Sequence, residues 1–292
     1  MKMISKFIDN NTKQKKRFNK KIFIHIFVIA LGFIMIYPLL WMLSSSFKPS
    51  TEIFTSKSFF SEVFTLENYI IGWRGMSGYT FSRFFANSFF VTFMVVIGTL
   101  ISSSMAAFAF SKLDFPLRKV FFVIMMSTLM LPYHVRLIPT YIVFHKLGWI
   151  NTFLPLYVPR FFATDAFFVF LLVQYMKTIP NEIMESARID GASRIGIYLR
   201  LMMPLSVPAL ITSGILTFIW TWNDFFTQLL YLSDVSKFTI AIALRMFVDA
   251  TSGSSWGAMF AMSVLSLVPL FVIFVFFQKY IVEGITSGSV KG

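Results

Sequence analysis

The chain has 292 residues, 57% of them hydrophobic and only 13% charged, with a mean hydropathy of +0.73, a balance that excludes an ordinary soluble domain and points to an integral membrane protein. The net charge of +13 is concentrated toward the N-terminus, so it reads as a membrane-surface charge before a nucleic-acid footprint. The absence of cysteine excludes disulfides, thiolate metal sites and cysteine nucleophiles.

The opening segment, residues 1–21, holds "KQKKRFNKK" from Lys13 to Lys21 and is expected to be a cytoplasmic basic tail against anionic lipid. A first apolar span runs from Ile22 to Ser45; it is too long for a cleaved signal peptide despite Ser44, Ser45 and Ser46 behind it. Phe47 to Ala86 is the longest polar stretch, with Glu52, Glu62 and Glu67 set among aromatics, and is expected to fold as an outer cap. Within it "GMSG", Gly75 to Gly78, mimics an intramembrane serine-protease elbow, but its Gly-rich setting favours a plain turn at Ser77.

A second span runs from Asn87 to Phe110. The third, Leu117 to Ile138, carries Pro132, His134 and Arg136 with Pro139 behind, and is expected to be kinked or broken. The fourth, Leu154 to Met176, contains Arg160 and Asp165, ionisable groups that cost several kcal/mol in hydrocarbon and must face a cavity or a partner (~3 kcal/mol on insertion scales). On a continuous helix these two stand about 140° apart. They are therefore expected to be poor partners for each other and to meet Arg136 or Asp224 instead. Two readings stay open: a polar wall along a hydrophilic substrate path, or an interhelical ion pair that fixes packing, with Arg160 reaching the headgroups.

Residues 177–203 form the charged island of the chain. The sequence predicts two short helices joined by a turn, capped by Thr178 or Asn181 beside Pro180, with Ile183 and Ala187 on one face and Glu185 paired to Arg188 on another. Asp190-Gly191 ends the first helix, because glycine accepts the left-handed conformation. From physics alone, a solvated loop or a helix on the headgroups serves as well as a docking helix. The fifth span, Pro204 to Trp222, leads into "WTWNDFF"; Trp222, Asn223 and Asp224 combine an indole face, an amide and a carboxylate that suit a sugar ring or an interfacial belt. The sixth span is Gly257 to Phe277, and residues 281–292 are a second tail.

Six crossings place both termini on one side, and the lysine and arginine excess of the N-terminal tail assigns that side to the cytoplasm; without the tail the two sides carry equal numbers. The histidines His25, His134 and His145 lie at no metal-ligand spacing, and no Gly-Lys dipeptide exists, so neither a metal centre nor a phosphate loop is expected.

The stretch "ESARIDGASRIGIYLRLMMPLS" closely resembles the E-A-A-x-x-D-G-A…P signature of permease subunits of binding-protein-dependent ABC importers, with Glu185, Ala187, Asp190, Gly191, Ala192 and Pro204 in place and Ser186 where a second alanine is usual. "YPLLWMLSSSFKPSTEIF", "ENY", "NSFFVT", "AAFAFSKLDFP", "LPYHVRLIPTY", "WNDFF" and "VEGITSGSVKG" extend the resemblance to maltose-type, MalG-like sugar permeases over nearly the whole length. The resemblance implies an all-α, MetI-like fold of six transmembrane helices (residues 22–280) in the cytoplasmic membrane of a prokaryote. It implies a second homologous permease, an extracytoplasmic solute-binding protein, and a cytoplasmic ATPase dimer contacted by Glu185, Ser186, Ala187, Asp190, Gly191 and Ala192. ATP and magnesium then belong to that ATPase, with no cofactor on this chain, and the tail from Gly284 to Gly292 reaches toward the same interface. The implied cargo is a carbohydrate, an oligosaccharide, passing Arg136, Arg160, Asp165, Trp222, Asn223 and Asp224; the two arginines are compatible with an acidic one. The alternative from another class is an ion-gradient transporter with Asp165 as the ion carboxylate, against which the absence of visible inverted repeats also counts.

Overall fold

The computed structural model describes residues 2–56, 58–59, 63–248 and 255–287, which leaves Glu62 and the end of the C-terminal tail outside the described residues. Helix α1 (Lys2–Ser45) runs from the basic tail straight into the first span, and no residue of its apolar window is buried within the chain. The segment after it packs into a cap around Asn68 of α2 (Glu67–Arg74), whose side-chain amide donates to the carbonyls of Ser46 (2.9 Å) and Lys48 (2.7 Å). Lys48 is buried there because its ammonium group donates to the Ser58 carbonyl at 2.6 Å, satisfying a cation that burial alone would penalise. Ser77 and Gly78 both take positive φ (54° and 83°) between Met76 and Tyr79, which exchange two backbone hydrogen bonds; the protease-like string is a tight turn.

Helix α3 (Phe81–Lys112) is the central rod, unbroken over 32 residues. The third segment breaks as its prolines require. Helix α4 (Arg118–Ser127) passes through a 3-10 turn, and at Leu131-Pro132 the chain swings 104° into α5 (Tyr133–Lys146).

The fourth segment is not the clean helix that its composition predicts. It starts as α6 (Leu154–Tyr157), tightens to a 3-10 stretch at Val158–Phe162, reverses through Ala163 in the left-handed region (φ 53°), and resumes as α7 (Ala166–Thr178). Pro155 and Pro159 are the local cause: Pro159 supplies no N–H to the helical ladder.

Next come α8 (Asn181–Ile189) and α9 (Arg194–Ile197), which continues through a π turn at Tyr198–Met202 into α10 (Met203–Leu205). This unit bends 75° at Ser206 into α11 (Val207–Trp222), so the fifth apolar segment is a bent pair and not one helix from Pro204. Two short helices, α12 (Phe226–Tyr231) and α13 (Ile240–Met246), precede α14 (Trp256–Ser287). Among the described residues four segments are long and apolar enough to cross a bilayer, and the number rises to as many as six if each bent pair counts as one span. The elements are all helical apart from one isolated bridge among the described residues.

Packing centres on α3. At one end Ala107 and Phe108 join Val169, Leu172, Val173 and Met176 of α7 with Met184, Ile197 and Met202 in a buried cluster. At the other, Phe81 and Phe84 pack with Trp222, Ile240, Ala258 and Met262. Glycines permit the closest approaches: a Cβ at Gly98 would lie 2.7 Å from the Phe161 ring, and one at Gly257 would lie 2.2 Å from Oδ1 of Asn68.

Candidate functional site

Two regions carry the polar chemistry. The first is the α8–α9 loop. Helix α8 ends in a full Schellman closure: Ala192 N–H donates to the Ala187 carbonyl (2.9 Å), Gly191 N–H donates to that of Arg188 (3.0 Å), and Gly191 sits at φ 80°. Ser193 then opens α9, its hydroxyl oxygen accepting from Gly196 N–H at 3.1 Å. The turn between the helices is thus fixed by backbone bonds, as Asp190-Gly191 leads one to expect.

Other details of the loop differ from the sequence expectation. Neither Thr178 nor Asn181 caps α8: the Thr178 hydroxyl donates back to the Tyr175 carbonyl, Pro180 occupies the capping position, and Asn181 is the first helical residue. The anchoring side chain is Met184, only 3% exposed, with Ala187 beside it, because the α3–α7 cluster meets that face; Ile183 is exposed. Glu185 and Arg188 form no ion pair, and both face outward with Ser186, Asp190, Gly191 and Ala192. Two large apolar side chains stand out among them, Ile189 at 86% and Ile195 at 71% exposure.

The second region is a cavity of about 470 Å³ between α3, α5, the broken fourth segment, α11 and α12. Arg136, Arg160, Asp165 and Asp224 all line it, with Thr128, Thr140 and Gln228 between them. Three broken or bent elements thus deliver their charges to one place, where a cavity and polar neighbours stand in place of the hydrocarbon that would penalise them.

Arg160 and Asp165 are hydrogen-bonded to each other as an ion pair, contrary to the helical-wheel expectation. The 140° separation applies to a continuous helix, whereas the left-handed Ala163 folds the two side chains back together. The freed carbonyl of Arg160 accepts from the Ser102 hydroxyl of α3 at 2.6 Å, and the Pro159 carbonyl accepts from the Thr164 hydroxyl at 3.0 Å, so the break is satisfied by neighbours. Asp224 accepts from Thr227 N–H at 3.0 Å and holds the start of α12.

Of the tryptophans, Trp220 lines the cavity, packed against Phe167 and Phe168. Trp222 does not: it is buried in the core, its indole N–H donating to the Ser266 carbonyl at 3.1 Å. Two residues along α11 is about 200° of rotation, which decides between them. Asn223 is also outside the cavity, exposed at the end of α11 and donating to the Ile219 carbonyl.

A family model described as the binding-protein-dependent transport system inner membrane component matches residues 98–287, from the middle of α3 to the end of α14. The chain belongs to that family. Its α8–α9 loop and its cavity are therefore parts of a membrane permease component, and an ion-gradient transporter is set aside. The chain is 36% identical over 272 residues to the probable ABC transporter permease protein YurM of Bacillus subtilis, covering 93% of this chain and 87% of that one. It is 34% identical to the trehalose/maltose transport system permease protein MalG of Thermococcus litoralis, over 94% of this chain and 98% of that one. It is likewise 34% identical to the arabinooligosaccharides transport system permease protein AraQ of Halalkalibacterium halodurans, over 90% and 93%. In fold, it is similar to a chain in the crystal structure of a bacterial ABC transporter involved in the import of the acidic polysaccharide alginate, with a TM-score of 0.78, 24% identity, and 89% of this chain and 96% of that one covered.

Proposed function

We propose that this permease component imports a carbohydrate, an oligosaccharide, using ATP hydrolysed on a separate cytoplasmic subunit. The observation that carries the reading is the α8–α9 loop. One face is locked into the membrane core through Met184 and Ile197, while the other offers Glu185, Ser186, Asp190, Gly191 and Ala192 beside exposed Ile189 and Ile195. An apolar pair of that kind on a polar loop fits a protein groove better than water. A helix closed by a Schellman turn transmits force as a unit, which a flexible loop cannot.

In this reading an ATPase dimer, carrying ATP and magnesium, grips α8 and drives a two-state rigid movement. Both tails, 1–21 and 281–292, lie in the cytoplasm on the strength of the basic N-terminal residues. A second, homologous permease completes the path, an extracytoplasmic binding protein delivers the sugar, and this chain contributes no cofactor. The oligosaccharide itself follows from the sugars in the printed names of the relatives. The cavity supports it: guanidinium and carboxylate groups beside the Trp220 ring match the hydroxyls and apolar faces of a sugar.

Gly191→Pro tests the proposal. Proline locks φ near −65°, against the +80° the turn requires, and costs that turn about 3 kcal/mol or more. The expected outcome is a normally inserted chain whose complex hydrolyses ATP without uptake of the sugar bound by the cognate solute-binding protein. Wild-type uptake by an inserted Gly191→Pro protein removes α8 from the coupling role.

A further inference from the structure

The last residue of α3, Lys112, reaches across to the loop. Its ammonium group donates to the carbonyl of Ile179 at 2.5 Å and to Oδ1 of Asn181 at 2.8 Å, joining the end of α7 and the first residue of α8 to α3. A cation beside a helix N-terminus opposes the helix dipole, so α8 does not by itself select a lysine there. The two acceptors, with the Glu182 carboxylate near enough to act on the charge, hold it in place.

Lys112 does not act alone on that face. Ser104, Phe108 and Lys112 stand at i, i+4 and i+8 on α3. Ser104 shares a hydrogen bond with the Tyr198 hydroxyl at 2.7 Å, and the Phe108 and Tyr198 rings lie 5.5 Å apart. One stripe of α3 therefore holds both arms of the loop, the α8 side through Lys112 and the α9 side through Tyr198.

Farther along the same unbroken helix, Val91 and Val95 form cavity wall and Ser102 holds the Arg160 carbonyl. A continuous helix of 32 residues, about 48 Å long at 1.5 Å per residue, thus connects the loop to the charged cavity. The paths through α5 and α11 are each interrupted by a sharp bend, and that through the fourth segment by a left-handed residue.

We propose that Lys112 is a positioning residue for coupling: it clasps the start of α8 to α3, so that displacement of α8 moves the cavity wall. The proposal rests on α8 being the ATPase contact. Because the chain lacks cysteine, Thr140→Cys on the α5 wall of the cavity gives this subunit a single thiol. In membrane vesicles containing the whole importer, the labelling rate of that thiol by a membrane-impermeant maleimide is compared without nucleotide and after trapping with ATP and vanadate.

In the Lys112→Met background, which keeps the apolar stem and removes the donors, the nucleotide-dependent difference in rate falls about fivefold or more, an ordinary size for coupling between sites. ATP hydrolysis continues, and Lys112→Arg restores the difference; a purely packing role for the stem would leave Lys112→Met responsive. A response in Lys112→Met equal to the parent's overturns the inference. Should that variant fail to assemble, Asn181→Leu at an exposed position removes the side-chain acceptor instead: a reduced response supports the clasp, and an unchanged one overturns it. A parent that shows no nucleotide response at all overturns the ATP-coupling reading itself, a result distinct from a responsive parent with an equally responsive Lys112→Met.

Discussion

Helix α3 and the fourth segment, Leu154–Thr178, are neighbours of similar apolar character, yet one is continuous and the other is broken in its first half. Both carry polar groups into the bilayer. In α3 these are small hydroxyls, such as Ser102 and Ser104, which donate to nearby acceptors without disturbing the helix. In the fourth segment they are Arg160 and Asp165, and the break beside Pro155 and Pro159 lets the two charges meet. Continuity suits α3 to carry movement. Discontinuity suits its partner to hold charge beside a cavity.

The largest test of this contrast is Asp165→Asn, which leaves the Arg160 guanidinium without its carboxylate. The pair is partly exposed, so the cost lies between the surface and buried limits, about 1–3 kcal/mol, visible as a lowered unfolding temperature of the purified complex. Arg160→Met together with Asp165→Asn should cost less than the sum of the two; additive losses would show that the pair does not hold the break. A next, smaller effect is expected where the two elements touch. Gly98→Ala brings a methyl to 2.7 Å from Phe161 and should destabilise by about 1–2 kcal/mol in the same measurement, whereas a neutral result would mean that the ring moves freely and α3 does not pin the break. The smallest effect has the opposite sign. Ala163→Gly relieves a left-handed alanine, worth about 1–2 kcal/mol, against about 0.5–1 kcal/mol of added chain entropy. A net gain of roughly 0.5 kcal/mol follows, and a loss instead would argue that the left-handed turn is not strained.

Much of the molecule was legible in the residues. Apolar run lengths mark the candidate spans, four of them long helices and two of them bent pairs, Pro132 marks the sharpest bend, and Gly191 marks the end of α8, because bilayer thickness, a missing N–H and a positive φ each act locally. The break in the fourth segment has its sequence signal in Pro155 and Pro159, which weigh against one continuous helix from Leu154. Met184 as the anchor of α8 had weaker warning, since Ile183 has the same apolar character and only the position of the α3–α7 cluster selects between them.

The sequence by itself determined the class of the protein, its apolar segments, its loop turn and its family, since each depends on composition, local backbone chemistry or a contiguous motif. Only the tertiary structure decided that Arg160 pairs with Asp165, that Trp220 and not Trp222 faces the cavity, and that Lys112 ties α3 to α8. Those outcomes depend on where one element ends relative to another. Spacing along a chain reports direction only while the helix continues, and in this protein the informative places are where helices stop.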